Sequence, residues 1–355
     1  EYDAQGEFIY AVLEYYNFTK DKKFLEEKLP AVENALKYLV EIRKRRTTEE
    51  FKDGPPEKRI FYGILPESNS HEGYFPAQHS YWDDFWALKG WKDARTIAKV
   101  LKRKDLIKWI DAEEGDFRKS VYDSIGLVMR IKNIDYVPGC AEKGDFDATS
   151  TAIAIFPCDE YESLPQPQLD NTFRKYYKDT FLPRLKEDWK GSFTPYEIRS
   201  ISSFILMGQK EKALNMLKYF QTVKRPREWN HWAEVVFSEY RHPQYIGDMP
   251  HTWIGAEYIN AVRNLFVYEK DDKLILGAGI PSEWTEDERG ITVKNFPTHY
   301  GNINYTIKQT KRGLELKVWG IAKPPKGFVF KSPKSNEEFI FSKLPINIII
   351  SKKGK

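Results

Sequence analysis

The sequence predicts a mainly α fold built of helical hairpins and ending in a small antiparallel β domain. Three observations carry this expectation. Before Tyr268 apolar residues recur at three- and four-residue spacing. From Lys273 onward they alternate with polar residues in short β-branched runs. Between the helical segments lie long loops rich in Gly, Pro and aromatic residues. The expected division is therefore a helical domain over 1–270 and a β domain over 271–355, the helical one incomplete at its N-terminus.

In chain order, the first two helices are expected over about 2–17 and 22–46. Phe8, Val12 and Tyr15 share one face of the first, and Leu29, Val32, Leu36 and Leu39 one face of the second. The short polar link FTKD joins them as a hairpin. Pro30 would sit in the first turn of a helix starting near Leu29, or kink one that began earlier. Further helices are expected over about 80–89, 92–103, 117–131, 147–155, 169–178, 195–207, 211–221 and 252–267. The runs KLILGAGI, GITVKNF, NINYTIKQT, GLELKVWG, GFVFKS, EEFIFS and INIIIS then read as strands.

Composition narrows the function. The 355 residues, 41% of them hydrophobic, suffice for a sizeable core. The 56 basic and 52 acidic residues give +4, and the basic ones are spread along the chain, so nucleic acid is not implied. No apolar run reaches the roughly 18 residues of a membrane span, so no membrane is implied either. The chain opens EYDAQGEF without a Met and already in a helical pattern, as expected of a piece cut from a longer precursor. Cys140 and Cys158 are expected as two free buried thiols, since two cysteines make neither a disulfide framework nor a zinc cluster. His79, His231 and His251 show no metal-ligand spacing and read as hydrogen-bonders to hydroxyls. There is no phosphate loop, GxSxG elbow or dinucleotide fingerprint. Neither a metal nor a cofactor is expected.

Two segments set acids among tryptophans: YGILPESNSHEGYFPAQHSYWDDFWALKG and WNHWAEVV. Ring faces stack on the C–H surfaces of sugars, and an apolar wall keeps a carboxyl protonated near neutral pH. Of Asp83 and Asp84, between Trp82 and Trp86, whichever points inward would be desolvated and close to a like charge, which suits a general acid. The same pair could equally cap a helix running on through Ala87. Glu234, after Trp229, His231 and Trp232, is costly to bury unless it works or pairs with an Arg. Asp145 and Asp147 in KGDFDATST read as caps of the next helix.

These residues resemble a known family. YDAQGEFIYAVLEYYNFTKDKKFLEEKLPAVENALKYL is similar to a helical hairpin of six-hairpin glycosidases, which implies an (α/α)6 barrel, a six-hairpin toroid. SYWDDFWALKG resembles the glucoamylase-like family (glycoside hydrolase family 15), in which a Trp followed by two acids includes the general acid. That match implies Asp83 as acid, with Asp84 beside it. WNHWAEVV followed by MPHTWIGAEYINAV resembles the base-bearing loop and final helix, implying Glu234 as base. The family acid is usually Glu and the residue after the base usually Gln, where this chain has Asp83 and Val235. The β domain at the C-terminal end looks more like that of rhamnosidase-type or disaccharide-phosphorylase-type relatives. The resemblance implies an inverting glycoside hydrolase acting on an oligosaccharide or glycoside, with Trp82, Trp86, Trp229, Trp232 and Trp253 shaping the sugar subsites. Fewer helical segments are counted than six hairpins need, so a further N-terminal segment or a partner chain is expected to complete the barrel. A phosphorylase on the same fold and a non-catalytic carbohydrate-binding or assembly module are the alternatives.

Overall fold

A computed structural model describes residues 1–71, 73–224, 227–239, 242 and 247–351. The chain forms two compact units, Glu1–Lys186 and Glu187–Lys355. Among the described residues there are eleven α-helices and ten strands, and none of the helices is long and apolar enough to cross a membrane.

The first unit opens with the expected hairpin, α1 (Ala4–Thr19) and α2 (Lys22–Arg43). Lys20 takes left-handed backbone at φ 59°, and Asp21 caps α2 by accepting the Phe24 N–H at 3.0 Å, so the chain reverses in two residues. Pro30 lies inside α2, which began earlier, and its ring faces water. Two single-turn helices follow, α3 (Glu49–Lys52) and α4 (Pro56–Arg59). The two helices expected over 80–89 and 92–103 are one, α5 (Tyr81–Val100). Gly90 does not break it, because its role is close approach. A Cβ there would stand 2.9 Å from the Gly6 Cα, and a Cβ on Gly6 would collide with the Trp86 carbonyl, so α1 and α5 touch backbone to backbone. Helix α6 (Lys104–Lys132) starts well before the expected 117; ahead of Phe117 it is rich in charge and buries only Leu106 and Ile110. Asn133 at φ 52° ends it. Asp147 caps α7 (Ala148–Ile155) by accepting the Ser150 N–H at 2.9 Å, and α8 (Gln168–Lys175) follows.

The second unit pairs β1 (Ser192–Phe193) with β2 (Val236–Phe237), then packs α9 (Arg199–Leu206), α10 (Lys210–Thr222) and α11 (Thr252–Phe266). Helix gives way to strand at Val267, inside this unit. Strands β3 (Val267–Lys270), β4 (Lys273–Leu276), β8 (Phe328–Lys331) and β9 (Glu338–Phe341) form one sheet in that order. Strands β5 (Ile291–Phe296), β6 (Ile303–Thr310), β7 (Gly313–Gly320) and β10 (Ile346–Ile350) form another, ordered β10-β7-β6-β5. The second of these sheets is antiparallel throughout, as expected. In the first, β4 and β8 run parallel, which corrects the expectation; β5 to β7 intervene between them, so no hairpin dictates their direction. The two sheets share one core. Ile303, Tyr305 and Ile307 of β6 alternate inward and meet Leu274, Leu276, Phe328 and Phe330. The Tyr305 hydroxyl donates to the Phe266 carbonyl at 3.0 Å, tying this core to the end of α11.

Candidate active site

In the first unit the acids sit in the first turn of α5, and neither caps the helix. Asp83, 1% exposed, accepts the Ser68 hydroxyl at 2.6 Å and the Ser70 hydroxyl at 3.1 Å, both from the loop before the helix. Burial is the largest influence on its carboxyl and pushes it up to about 6. The serine hydroxyls oppose that rise, and the charge of Asp3 adds to it. Asp84, also 1% exposed, accepts the Leu65 N–H at 3.0 Å with one oxygen, while the other has no hydrogen-bond partner. Burial holds it well above the usual carboxylate range, and the Asp83 charge works in the same direction. These two side chains look outward from the helix to the loop, so capping is not what they do.

The rings around them are ordered by polar contacts. Trp82 donates its indole N–H to Asp3 at 2.9 Å and stacks on His71 at 4.4 Å. Trp86 lies edge-on to Trp82 at 6.2 Å, and its buried indole N–H meets no acceptor. On α1, the buried carbonyl oxygen of the Gln5 side chain likewise meets no donor. Such orphaned groups are costly without a partner, and a sugar hydroxyl could bond either one. His79 is placed differently. Its Nδ1 meets Glu142 at 2.5 Å, its Nε2 accepts from Arg46 at 2.7 Å, and its ring stacks on Phe61. Nδ1 therefore carries the proton, and both ring nitrogens are engaged within the protein. Burial works to raise Glu142, but the contacts from His79 outweigh it and hold the carboxylate below its usual range.

The second unit holds the other expected residues. Pairing of β1 with β2 anchors the loop that carries Glu234. Glu234 is half-buried, and its Oε2 accepts the Asp248 N–H at 3.3 Å while its own N–H donates to the Asp248 carbonyl at 3.3 Å. Its side chain lies against Gly247, at φ 73°, where any Cβ would collide with it. Trp232 is buried, donating to the Phe220 carbonyl at 2.8 Å and packing on Tyr258 of α11, whereas Trp229 is 62% exposed. The His231 Nδ1 accepts the Trp232 N–H at 2.9 Å. The His251 N–H reaches the Trp232 carbonyl at 3.4 Å, and its Nε2 meets the Tyr196 hydroxyl at 2.8 Å, leaving its buried Nδ1 without a partner. Trp253 stands edge-on to Tyr196 at 4.9 Å. Beneath both rings lies the buried Arg199, over Tyr196 at 5.2 Å and Trp253 at 5.3 Å, with Glu257 3.5 Å from its Nε. Burial raises the Glu257 carboxyl, against the pull of Arg199 and the Trp253 indole.

Sequence reasoning missed Asp3, Ser68, Ser70, Tyr196, Arg199 and Glu257. The SNS turn ahead of YWDD was the legible signal for the serines. Of the two acids in KGDFDATST, Asp147 caps α7, but Asp145 accepts the Cys140 N–H at 3.0 Å and the Tyr74 hydroxyl at 2.9 Å instead. Both cysteines are free and buried, and burial pushes the Cys140 thiol up to about 12 and the Cys158 thiol well above its usual value.

No protein-family model matches the chain, and no curated protein matches it. Among solved structures, the crystal structure of a GH78 family rhamnosidase of Bacillus sp. GL1 is similar at 12% sequence identity and a TM-score of 0.49. The match covers 88% of this chain and 30% of that one, so this chain spans under a third of the rhamnosidase's length.

Proposed function

We propose that this chain is a glycoside hydrolase that cleaves an oligosaccharide or glycoside with inversion, with Asp83 as general acid and Glu234 as general base. The observation that carries the reading is Asp83 itself: a carboxyl closed from water beside Trp82 and Trp86, held by two hydroxyls and pushed up to about 6. A carboxyl with that pKa is partly protonated near neutral pH and returns readily from either state, as an acid catalyst must. In the reaction the glycosidic oxygen would replace one serine hydroxyl on Asp83 and take its proton as the bond to the sugar breaks. Glu234 would remove a proton from the water that attacks the opposite face. The unpartnered donor on Trp86 and acceptor on Gln5 suit the hydroxyls of a sugar. On the resemblance of the first hairpin and the WDD turn, the helical hairpins are read as part of an (α/α)6 barrel of the six-hairpin type.

The test is a product screen on oligosaccharides and aryl glycosides with and without phosphate. Sugar released in both conditions by the wild type, and lost on oligosaccharides in Asp83→Asn, is the expected result. Release only with added phosphate would replace hydrolysis by phosphorolysis. Sugar binding with no product under any condition would leave a binding module.

A further inference from the structure

A cavity of about 510 Å³ opens in the first unit beside α6, lined on its other side by the single-turn helices α3 and α4. Its volume falls in the range of small-ligand sites. Four cations line it: Lys52, Arg59, Lys119 and Arg130. Two acids also line it: Asp123 pairs with Lys119, also on α6, and Asp116 with the buried Arg43 at 2.6 Å. Among the described residues Lys52, Arg59 and Arg130 make no ion pair, which leaves three positive groups facing one space. Helix ends account for only part of this. Arg130 lies in the last turn of the long α6 and complements its dipole, but α3 and α4 are single turns whose dipoles are too small to recruit Lys52 and Arg59.

The walls are well fixed. The Ser124 hydroxyl contacts that of Tyr81 at 2.7 Å, which joins the cavity floor to α5. The Tyr122 hydroxyl donates to the buried Glu160 at 2.6 Å, so that only its ring lines the space. Tyr62 adds a second ring. Paired guanidinium groups recognise the oxygens of a phosphate in a bidentate way, while tyrosine rings pack on an apolar or sugar face.

We propose that this cavity binds the phosphomonoester dianion of a monosaccharide-sized ligand, at a site distinct from Asp83. Three unpaired cations match a dianion, and the two rings match the body that carries it. The site does not depend on the hydrolase reading.

The experiment is calorimetric titration of the intact chain at low ionic strength with glucose 6-phosphate, inorganic phosphate and glucose. Glucose 6-phosphate is expected to bind, glucose not, and Arg59→Ala and Arg130→Ala each to weaken binding about tenfold. Both arginines are exposed, so unchanged thermal melts are expected in the variants. Tighter binding of glucose 6-phosphate than of phosphate supports the sugar ester as the ligand, whereas phosphate binding at least as tightly would overturn it in favour of a bare oxyanion site. Absence of saturable binding by either phosphate up to about 10 mM, undiminished affinity in both variants, or glucose binding as tightly as its phosphate would each overturn the proposal.

Discussion

At Asp83 two tendencies oppose each other. Burial favours the neutral acid, and the two serine hydroxyls favour the carboxylate, with burial prevailing. A folded pKa of about 6 above an unfolded value near 3.9 means that, between the two, the native chain keeps a proton the unfolded chain has released. Stability therefore falls as pH rises through about 6, and above it the charge costs on the order of 3 kcal/mol. Asp83→Asn should consequently melt higher than wild type at pH 8, with the gap closing toward pH 4. A gap independent of pH in thermal melts would contradict this. If the same carboxyl is the acid catalyst, kcat/KM falls on the alkaline side of about pH 6. Ser68→Ala, by removing a bond that favours the carboxylate, moves that limb to higher pH. An unmoved limb would detach Asp83 from catalysis. For Glu234→Gln, the hydrolase reading expects a loss of about 10²–10⁴ in rate with substrate affinity retained, measured by turnover and by direct titration.

Among the elements, α5 shows why part of the fold was hidden. The sequence expectation of two helices over 80–89 and 92–103 misses that the helix runs on through Gly90. Nothing local in the sequence says that Gly90 faces Gly6, because that contact joins residues far apart in the chain. Replacing Gly6 by Ala should cost about 1–3 kcal/mol, since the Trp86 backbone that it strikes cannot rotate away. The same change at exposed Gly73, where open space surrounds the backbone, strains only its φ of 65° and should cost less. Denaturant melts of the two variants compare these directly. The α1–α2 hairpin, by contrast, was legible in its two helices and polar link, which are local, but not in the whole of its buried face: α1 buries Ile9, Val12 and Leu13 and leaves Phe8 and Tyr15 exposed.

Over the whole molecule, the change from helix to strand near Val267 could be read from periodicity alone, as could the alternation that builds the shared core of the two sheets. Strand order could not, because the parallel pairing of β4 with β8 depends on which strands the chain inserts between them. For the candidate site, tryptophans beside acids pointed to Asp83, but nothing in that pattern pointed to Ser68 and Ser70 that bond to it, nor to Arg199 against Tyr196 and Trp253. Tyr305→Phe, which silences the bond to the Phe266 carbonyl, should cost about 1 kcal/mol and lower the melting temperature by roughly 2–4 °C. The two enclosed thiols have a practical side as well. Native protein should take up no maleimide, and urea-unfolded protein two equivalents per chain. A cysteine introduced at Phe75, 91% exposed, would then be the sole point of attachment for a fluorophore or spin label, beside the serine loop over Asp83, and no native cysteine need be removed first.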